Sequence, residues 1–292
     1  MTRTIKYLFK LKYLLVFFVA FTSCNTLKQN YSNAGYEKEL NLVFNAHGQY
    51  PIGPYINVTI NDKAYMGFFD TGNGNGIFDI KQQVIDELNL EIAGVAVGAT
   101  AGEKYAVIVY NVPEFVIDNS VIIFNRNIEP MLEQFAKLYD VIIGLSAFDD
   151  YNILLSYKQQ KMYLFAKNQN AEFINGWTSV DLLDWDKGLY FKGIIGNKEY
   201  VFCLDTGSSY YSANKNDYYD VVLGKELSEY IIKENDTTFE ISGRKFKGNK
   251  FYTAINQEII EGLPIDLFLG HDFLSKYDVF IDKGNMKLYI EK

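Results

Sequence analysis

The sequence predicts an all-β protein built from two related halves, and three observations support that prediction. The 292-residue chain contains 23 Tyr and 22 Phe residues, and aromatic side chains favour strands over helices. Short apolar runs recur about every 8–12 residues between turn residues, which is typical of sheet proteins. One strand–turn–strand pattern that ends in Asp-Thr-Gly also occurs twice along the chain.

The composition argues against several other classes of protein. Charged residues make up 22% of the chain and there are only 5 Pro residues, so the chain does not have the composition of a disordered tail. The formal net charge is −8, and an acidic protein repels phosphate backbones, so we expect no nucleic-acid partner. With 2 Cys and 2 His, the chain has few residues for a disulfide framework or a Cys/His metal site.

Residues 1–23 are predicted to be a lipoprotein signal peptide. They are basic up to Lys12, and the apolar run Tyr13–Phe21 is too short to span a bilayer but fits the core of a signal peptide. The tetrapeptide Phe21–Cys24 resembles a bacterial lipobox, in which the Cys carries the lipid; an ordinary secretory signal or an uncleaved anchor is the alternative. Residues 24–38 are polar and are predicted to be a tether. The expected location is therefore the membrane of a bacterial cell envelope.

The first repeated pattern is a strand–turn–strand unit followed by Asp-Thr-Gly. It occupies Tyr55–Gly72, with Asn-Asp at the turn, and Leu189–Gly207, with Gly-Asn at the turn. Both dipeptides suit the tight turn of a β-hairpin. The acidic residues of the two triplets, Asp70 and Asp205, lie 135 residues apart (205 − 70).

A second pair of segments repeats further along the chain. Val141–Phe148 matches Leu267–Leu274, and both continue without a gap at an offset of 126 residues (270 − 144). Each unit is therefore predicted to contain a hairpin, an Asp-Thr-Gly loop, further strands, an apolar-apolar-Gly strand, a short helical turn and a closing pair of strands. The two units are expected to span residues 39–172 and 173–292.

These segments resemble those of the aspartic peptidases. Phe69–Gly72 and Leu204–Ser209 are similar to the active-site loops of the pepsin-like and retropepsin-like enzymes, and Phe268–Asp282 is similar to the C-terminal segment of pepsin-like lobes. The resemblance covers nearly the whole mature chain. It implies two pseudo-symmetric β-barrel lobes with a central cleft and few short helices. Since both copies lie in one chain, it also implies a monomer, and pairing between two chains is the alternative.

The resemblance implies that Asp70 and Asp205 are the catalytic residues of an endopeptidase that acts on polypeptide substrates. Two adjacent carboxyl groups cannot both ionise readily, so they share one proton. The ionised group can activate a water and the protonated group can donate to the substrate carbonyl, which requires no metal and no cofactor. The residues expected to support the two active-site loops are Thr71, Gly72, Asn73, Thr206, Gly207 and Ser208.

The third residue after each Asp is where the two loops differ. The family usually has Ser, Thr or Ala there. Ser208 conforms and is expected to hydrogen-bond Asp205 through its hydroxyl group. Asn73 does not conform, and it can either donate to Asp70 or widen the loop and disrupt the pair. The second outcome would make the protein an inactive pseudo-peptidase that binds peptides without cutting them.

A candidate flap over the cleft lies at Val95–Tyr110, which is rich in glycine and flanked by apolar residues. An ordinary surface hairpin is the alternative for this segment. The residues singled out for the flap are Gly98, Thr100, Gly102 and Tyr105.

Other polar residues are expected to have structural roles. Cys203 occupies an apolar position of the second hairpin and is predicted to be a buried thiol. His271 is predicted to lie at the surface or to cap a helical turn. Asp278 and Asp282, in the last hairpin, are expected to face water.

Overall fold

The computed structural model describes residues 31–44, 53–73, 78–100, 103–169, 171–183, 188–208, 232–233, 237–248, 251–252 and 267–292. In this part of the chain there are twenty strands, three short α-helices and two 3₁₀-helices. The predicted all-β class with few short helices is therefore confirmed. None of the described helices is long and apolar enough to cross a membrane. The predicted signal peptide lies outside the described residues.

The first half of the chain forms a closed six-stranded barrel, because the last strand of the barrel pairs with the first. Apolar residues of alternate positions fill it, and Phe78 stacks on Phe115 with ring centroids 3.7 Å apart. A seventh strand, β5 (Glu91–Thr100), pairs with the barrel strand β6 (Glu103–Ile117) and extends from the barrel there. The barrel strands are, in order around the barrel, β2 (Tyr55–Ile60), β3 (Lys63–Asp70), β8 (Val141–Gly144), β4 (Phe78–Ile80), β7 (Val121–Pro130) and β6 (Glu103–Ile117).

The second half contains a five-stranded sheet, in which the strands around the second Asp-Thr-Gly hairpin are arranged like those around the first. Its hairpin of β12 (Leu189–Ile195) and β13 (Lys198–Leu204) corresponds to β2–β3, and β18 (Leu267–Leu269) runs parallel to β13 as β8 runs parallel to β3. Leu204 lies opposite Leu269, just as Phe69 lies opposite Ile143. The strands of this sheet are β16 (Arg244–Gly248), β15 (Thr237–Ile241), β12 (Leu189–Ile195), β13 (Lys198–Leu204) and β18 (Leu267–Leu269), and a separate pair is formed by β14 (Ile232–Lys233) and β17 (Phe251–Tyr252).

A third sheet of six strands takes three strands from each half of the chain. At its centre Leu154 lies opposite Phe280, and the pairs on either side are Ile153 with Ile281 and Leu155 with Val279. Adding 126 to the β9 residue numbers and subtracting 126 from the β19 numbers gives the same three pairs (for example, 280 − 154 = 126). This symmetry was not predicted from the sequence. The strands are, in order, β1 (Lys38–Asn41), β10 (Lys161–Ala166), β9 (Tyr151–Ser156), β19 (Val279–Asp282), β20 (Lys287–Ile290) and β11 (Thr178–Asp181).

The predicted turns and helical turns are present. Asn61 and Asp62 have positive φ angles of 47° and 63° in the first hairpin, as a type I′ turn requires, and Gly196 has a φ of 63° at the first turn position of the second, where a type II′ turn requires it. Short helices follow Gly144 and Gly270, as predicted. The helices are α1 (Gln82–Leu88), α2 (Glu133–Ala136), α3 (His271–Leu274), η1 (Leu145–Phe148) and η2 (Glu172–Ile174).

The predictions for the buried thiol and for the last hairpin have different outcomes. Cys203 is fully buried in β13, as predicted. The expectation that Asp278 and Asp282 face water is wrong, because only 1% and 6% of their surfaces are exposed. Asp278 directly precedes β19 and Asp282 is its last residue, and this strand pairs on each side within the six-stranded sheet. Asp282 there accepts hydrogen bonds from the backbone N–H and the side-chain amide of Asn285, at 3.1 and 2.8 Å.

Candidate active site

Each Asp-Thr-Gly triplet follows a buried strand that has a partner on both sides. Asp70 ends β3, which lies between β2 and β8, and Asp205 comes directly after β13, which lies between β12 and β18. The backbone that carries each carboxyl group is thus hydrogen-bonded to an antiparallel and to a parallel neighbour. Such a strand end is a rigid support for a functional side chain.

Four reciprocal hydrogen bonds join the two triplets. The backbone N–H of Thr71 donates to Oγ1 of Thr206, and the N–H of Thr206 donates to Oγ1 of Thr71, both at 2.9 Å. The Thr71 hydroxyl donates to the Leu204 carbonyl at 2.8 Å, and the Thr206 hydroxyl donates to the Phe69 carbonyl at 2.7 Å. Both threonines are fully buried. The structure therefore brings together two loops that lie 135 residues apart (206 − 71).

The glycine of each triplet lies against the carboxyl group of the other. A Cβ atom on Gly72 would lie 2.9 Å from Oδ1 of Asp205, and one on Gly207 would lie 2.7 Å from Oδ1 of Asp70. Any other residue would push the facing carboxyl group away. The same glycines donate their N–H groups to the carboxylate within their own loop, at 2.8 Å for Asp70 and 2.7 Å for Asp205.

Asp70 and Asp205 are neighbouring carboxyl groups, each packed against the glycine of the other loop, and each influences the ionisation of the other. Burial raises the pKa of both, and the negative charge of Asp70 raises the pKa of Asp205 further. The N–H groups of the loops oppose this effect because they stabilise the ionised form. The pair therefore retains one shared proton at pH values where two isolated Asp side chains would both be ionised.

Asn73 and Ser208 occupy equivalent places but make different contacts. Both backbone N–H groups donate to the carbonyl of their own Asp, at 3.3 and 3.2 Å, and that of Ser208 also reaches Oδ1 of Asp205 at 3.2 Å. The predicted bond from the Ser208 hydroxyl to Asp205 is absent, because its Oγ is buried without a partner among the described residues. The side-chain amide of Asn73 donates to Oδ2 of Asp79 at 3.1 Å, a contact that the sequence analysis missed.

Two further polar side chains lie close to the pair. His271 was expected at the surface or as a cap, but its half-buried ring packs between Phe44 and Tyr157, with centroids 5.9 and 5.5 Å away. Its backbone N–H donates to the Ser208 carbonyl at 3.1 Å. Burial raises the pKa of Tyr157 well above its usual range, with smaller contributions from the charges of Asp205 and Asp70. Sequence reasoning missed Tyr157 because it lies in no recognisable motif.

The candidate flap has the conformation of a β-hairpin. Gly98 and Thr100 lie in β5, and Tyr105 lies opposite Gly98 in β6. Gly102 lies outside the described residues, as does the proposed lipidation residue Cys24. The role of this hairpin as a flap stays a prediction.

Comparisons with known proteins do not identify a family for this chain. No protein-family model matches the chain, and no curated protein has a similar sequence. Among the described residues, no group of three or more His, Cys, Asp or Glu side chains is arranged to hold a metal ion. The chemical interpretation therefore rests on the geometry around Asp70 and Asp205.

Replacing either interlocking threonine with valine should destabilise the protein to a similar degree. Val has the shape of Thr, but Thr71→Val leaves the Leu204 carbonyl and the Thr206 N–H without their partners. Unpaired buried groups cost about 1–3 kcal/mol each, so the two groups together should lower the free energy of unfolding by roughly 2–6 kcal/mol in each variant. Urea titration measures this loss. Thr59→Val, at a half-buried position of β2, is the control, and equal losses in all three variants would contradict the prediction.

Asp205→Asn should stabilise the protein, and the gain should increase with pH. Because the pKa of Asp205 is raised in the folded state, its contribution to stability is present below the ordinary Asp value and is lost as pH rises. Asn does not titrate, so the melting temperature of the variant should exceed that of the wild type at pH values above the ordinary Asp pKa, and the difference should grow toward pH 7. Thermal melts from pH 3 to 7 test this, with the exposed Asp150→Asn as control. A gain that does not change with pH would disprove it.

Proposed function

We propose that the protein is an aspartic endopeptidase that hydrolyses peptide bonds with a water activated between Asp70 and Asp205. The observation that supports this most strongly is the reciprocal interlock of Thr71 and Thr206, which holds the two carboxyl groups in contact. A turn with only a structural role would have no need of two buried carboxyl groups that share a proton, since such a pair lowers the stability of the fold.

The proposed architecture is that of two pseudo-symmetric lobes of the pepsin or retropepsin type, residues 39–172 and 173–292, with a cleft between them. Two observations support it. Both halves contain a hairpin whose second strand runs parallel to an apolar-apolar-Gly strand. The pairing between β9 and β19 is also unchanged when the offset of 126 residues is applied to it (280 − 154). One chain then supplies both acidic residues, so the proposed active form is a monomer.

The proposed mechanism uses the shared proton of the pair. The ionised carboxylate accepts a proton from a water molecule as the water oxygen attacks the carbonyl carbon of the substrate. The protonated partner donates its proton to the carbonyl oxygen, which gives a tetrahedral diol. When the C–N bond breaks, the protonated carboxyl group gives its proton to the leaving nitrogen and the ionised one accepts a proton from a diol hydroxyl, so the pair again holds one proton. Gly72 and Gly207 contribute by leaving space beside the carboxyl groups.

A second candidate function is the binding of peptides without cleavage. The observation that favours it is the contact from Asn73 to Asp79 in the first loop, at the position where the aspartic peptidases usually have Ser, Thr or Ala. In this alternative the cleft and the interlocked loops are retained, and the pair of carboxyl groups contributes only to recognition. We favour the peptidase because both triplets have the interlocking threonine and the glycine that faces the opposite carboxyl group.

We further propose that the protein is anchored to the cell envelope through a lipid on Cys24. The support for this is the basic and apolar character of residues 1–23, the lipobox-like Phe21–Cys24 and the polar segment that follows. Its substrates would then be polypeptides at or outside the membrane.

Soluble protein from residue 25 onward should cut peptides, and Asp70→Asn and Asp205→Asn should each abolish the activity. An Asn at either position removes the proton exchange that the mechanism requires, while the carboxamide can keep the hydrogen bonds of the loop. The measurement is mass spectrometry of new termini after incubation with a diverse peptide mixture from pH 3 to 8.

The control for this experiment is Asp150→Asn, which changes an exposed carboxylate and should cut as the wild type does. Cleavage that survives in both active-site variants would contradict the proposal. Saturable peptide binding without cleavage, in protein with a cooperative melting transition, would establish the second candidate function in its place.

Cys24→Ser in the full-length chain should release the protein from membranes, because Ser cannot form the thioether that carries the lipid. The measurement is the distribution of the protein between membrane and soluble fractions after expression in a bacterial host. Cys203→Ser is the matched control and should remain in the membrane fraction, since this thiol is buried. A Cys24→Ser variant that stays in the membrane fraction would show that a different segment anchors the protein.

A further inference from the structure

A third acidic residue, Asp79, lies beside the candidate active site and has no part in the mechanism proposed above. It occupies the middle of the three-residue strand β4 and is half-buried. Its carboxylate accepts the hydrogen bond from the Asn73 side chain at 3.1 Å. Neither the Asp-Thr-Gly motif nor the repeat points to this residue, because the second copy has no equivalent that the sequence analysis could identify.

Three hydrogen bonds join Asn73 to Asp79, to Asp70 and to Leu145. Its side chain is bound by Asp79, its backbone N–H donates to the Asp70 carbonyl at 3.3 Å, and its own carbonyl accepts the N–H of Leu145 at 3.2 Å. Leu145 begins η1, directly after the strand that pairs with β3. A change at Asp79 is therefore transmitted to the backbone of Asp70 through a single residue.

The charges that face Asp79 are negative. Glu129 lies opposite it in β7, and the Asp70 carboxylate lies in the adjacent loop. The residue opposite it in β8, Ile142, is apolar, and the nearby Lys81 pairs with Asp140 at 3.5 Å. In the described part of the chain no Lys, Arg or His forms an ion pair with Asp79.

The surroundings of Asp79 place its change of charge near neutral pH. Burial raises the pKa of Asp79 to about 7, with further contributions from the charges of Glu129 and Asp70, while the Asn73 hydrogen bond acts in the opposite direction. In acid, where the pair of Asp70 and Asp205 takes up its second proton, Asp79 is thus neutral, and it becomes charged as the pH approaches neutral.

We propose that Asp79 is a positioning residue of the candidate active site, which holds Asn73 in the Asp70 loop and whose negative charge keeps the shared proton on the Asp70–Asp205 pair up to neutral pH. The charge acts because a third carboxylate in the site disfavours a second charge on the pair. The catalytic meaning of this inference rests on the proposed function. Its physical content, an electrostatic link between Asp79 and the pair, does not.

The predicted consequence is a shift of one side only of the pH profile. Asp79→Asn keeps an oxygen that accepts the Asn73 hydrogen bond but removes the charge. The midpoint of the alkaline side of kcat/KM against pH should move down by on the order of one pH unit. The midpoint of the acidic side should stay in place, because Asp79 is already neutral there.

Glu129→Gln is the matched control. It removes a charge from the residue opposite Asp79, which makes Asp79 easier to ionise. The alkaline midpoint of this variant should therefore not move down. A downward shift in both variants would show a general effect of lost negative charge, and would overturn the specific role of Asp79. An equal shift of both sides of the profile in Asp79→Asn would also overturn it.

A direct titration separates this inference from the proposed function. In protein labelled with ¹³C at the Asp side-chain carboxyl groups, NMR follows the Asp70–Asp205 pair without any substrate, with Asp205→Asn used to assign its signals. The upper pKa of the pair should be lower in Asp79→Asn than in the wild type by the same order of one pH unit. If the pKa falls while no peptide is cut, Asp79 has the proposed role and the peptidase proposal fails. If the pKa of the pair is unchanged, the inference on Asp79 is overturned, whatever the activity.

Discussion

The positions of both candidate catalytic carboxyl groups depend on the four hydrogen bonds between the Thr71 and Thr206 loops. Each hydroxyl group donates to a carbonyl of the opposite strand end and accepts an N–H from the opposite threonine. Since both side chains are fully buried, no water competes for these bonds, and breaking one leaves groups unpaired in the core. The interlock therefore fixes the spacing of two acidic groups whose ionised forms repel each other.

The sheets explain how this interlock withstands the repulsion between the carboxyl groups. Each triplet follows a strand that is hydrogen-bonded on both sides. Beyond them, the six-stranded sheet joins the two halves of the chain through β9 and β19, and every residue of β19 is buried. A displacement of either loop would thus disturb a packed sheet. The stability lost by burying two acids is offset by the fold around them, which is the usual arrangement at functional sites.

Asp79 shows how the first loop accommodates an Asn where the aspartic peptidases, which this sequence resembles, usually have Ser, Thr or Ala. An Asn in the first loop has a longer side chain than Ser and needs its own partner, and β4 supplies one. The partner is a carboxylate, so the accommodation also changes the electrostatics of the site. The two loops make equivalent backbone hydrogen bonds, since the carbonyls of Asn73 and Ser208 accept the N–H groups of Leu145 and His271. Their side chains differ: Asn73 donates to Asp79, whereas the Ser208 hydroxyl has no partner among the described residues.

The sequence by itself determined the all-β class, the two hairpins with their turn residues, the helical turns after Gly144 and Gly270, and the two triplets as the residues of interest. These features follow from local chemistry, such as the positive φ angles of a type I′ turn, or from repetition along the chain. Only the tertiary structure decided that β9 pairs with β19, that Asp278 and Asp282 are buried, and that Asp79 meets Asn73. These contacts depend on strand register and barrel closure, which bring together residues that no local pattern relates.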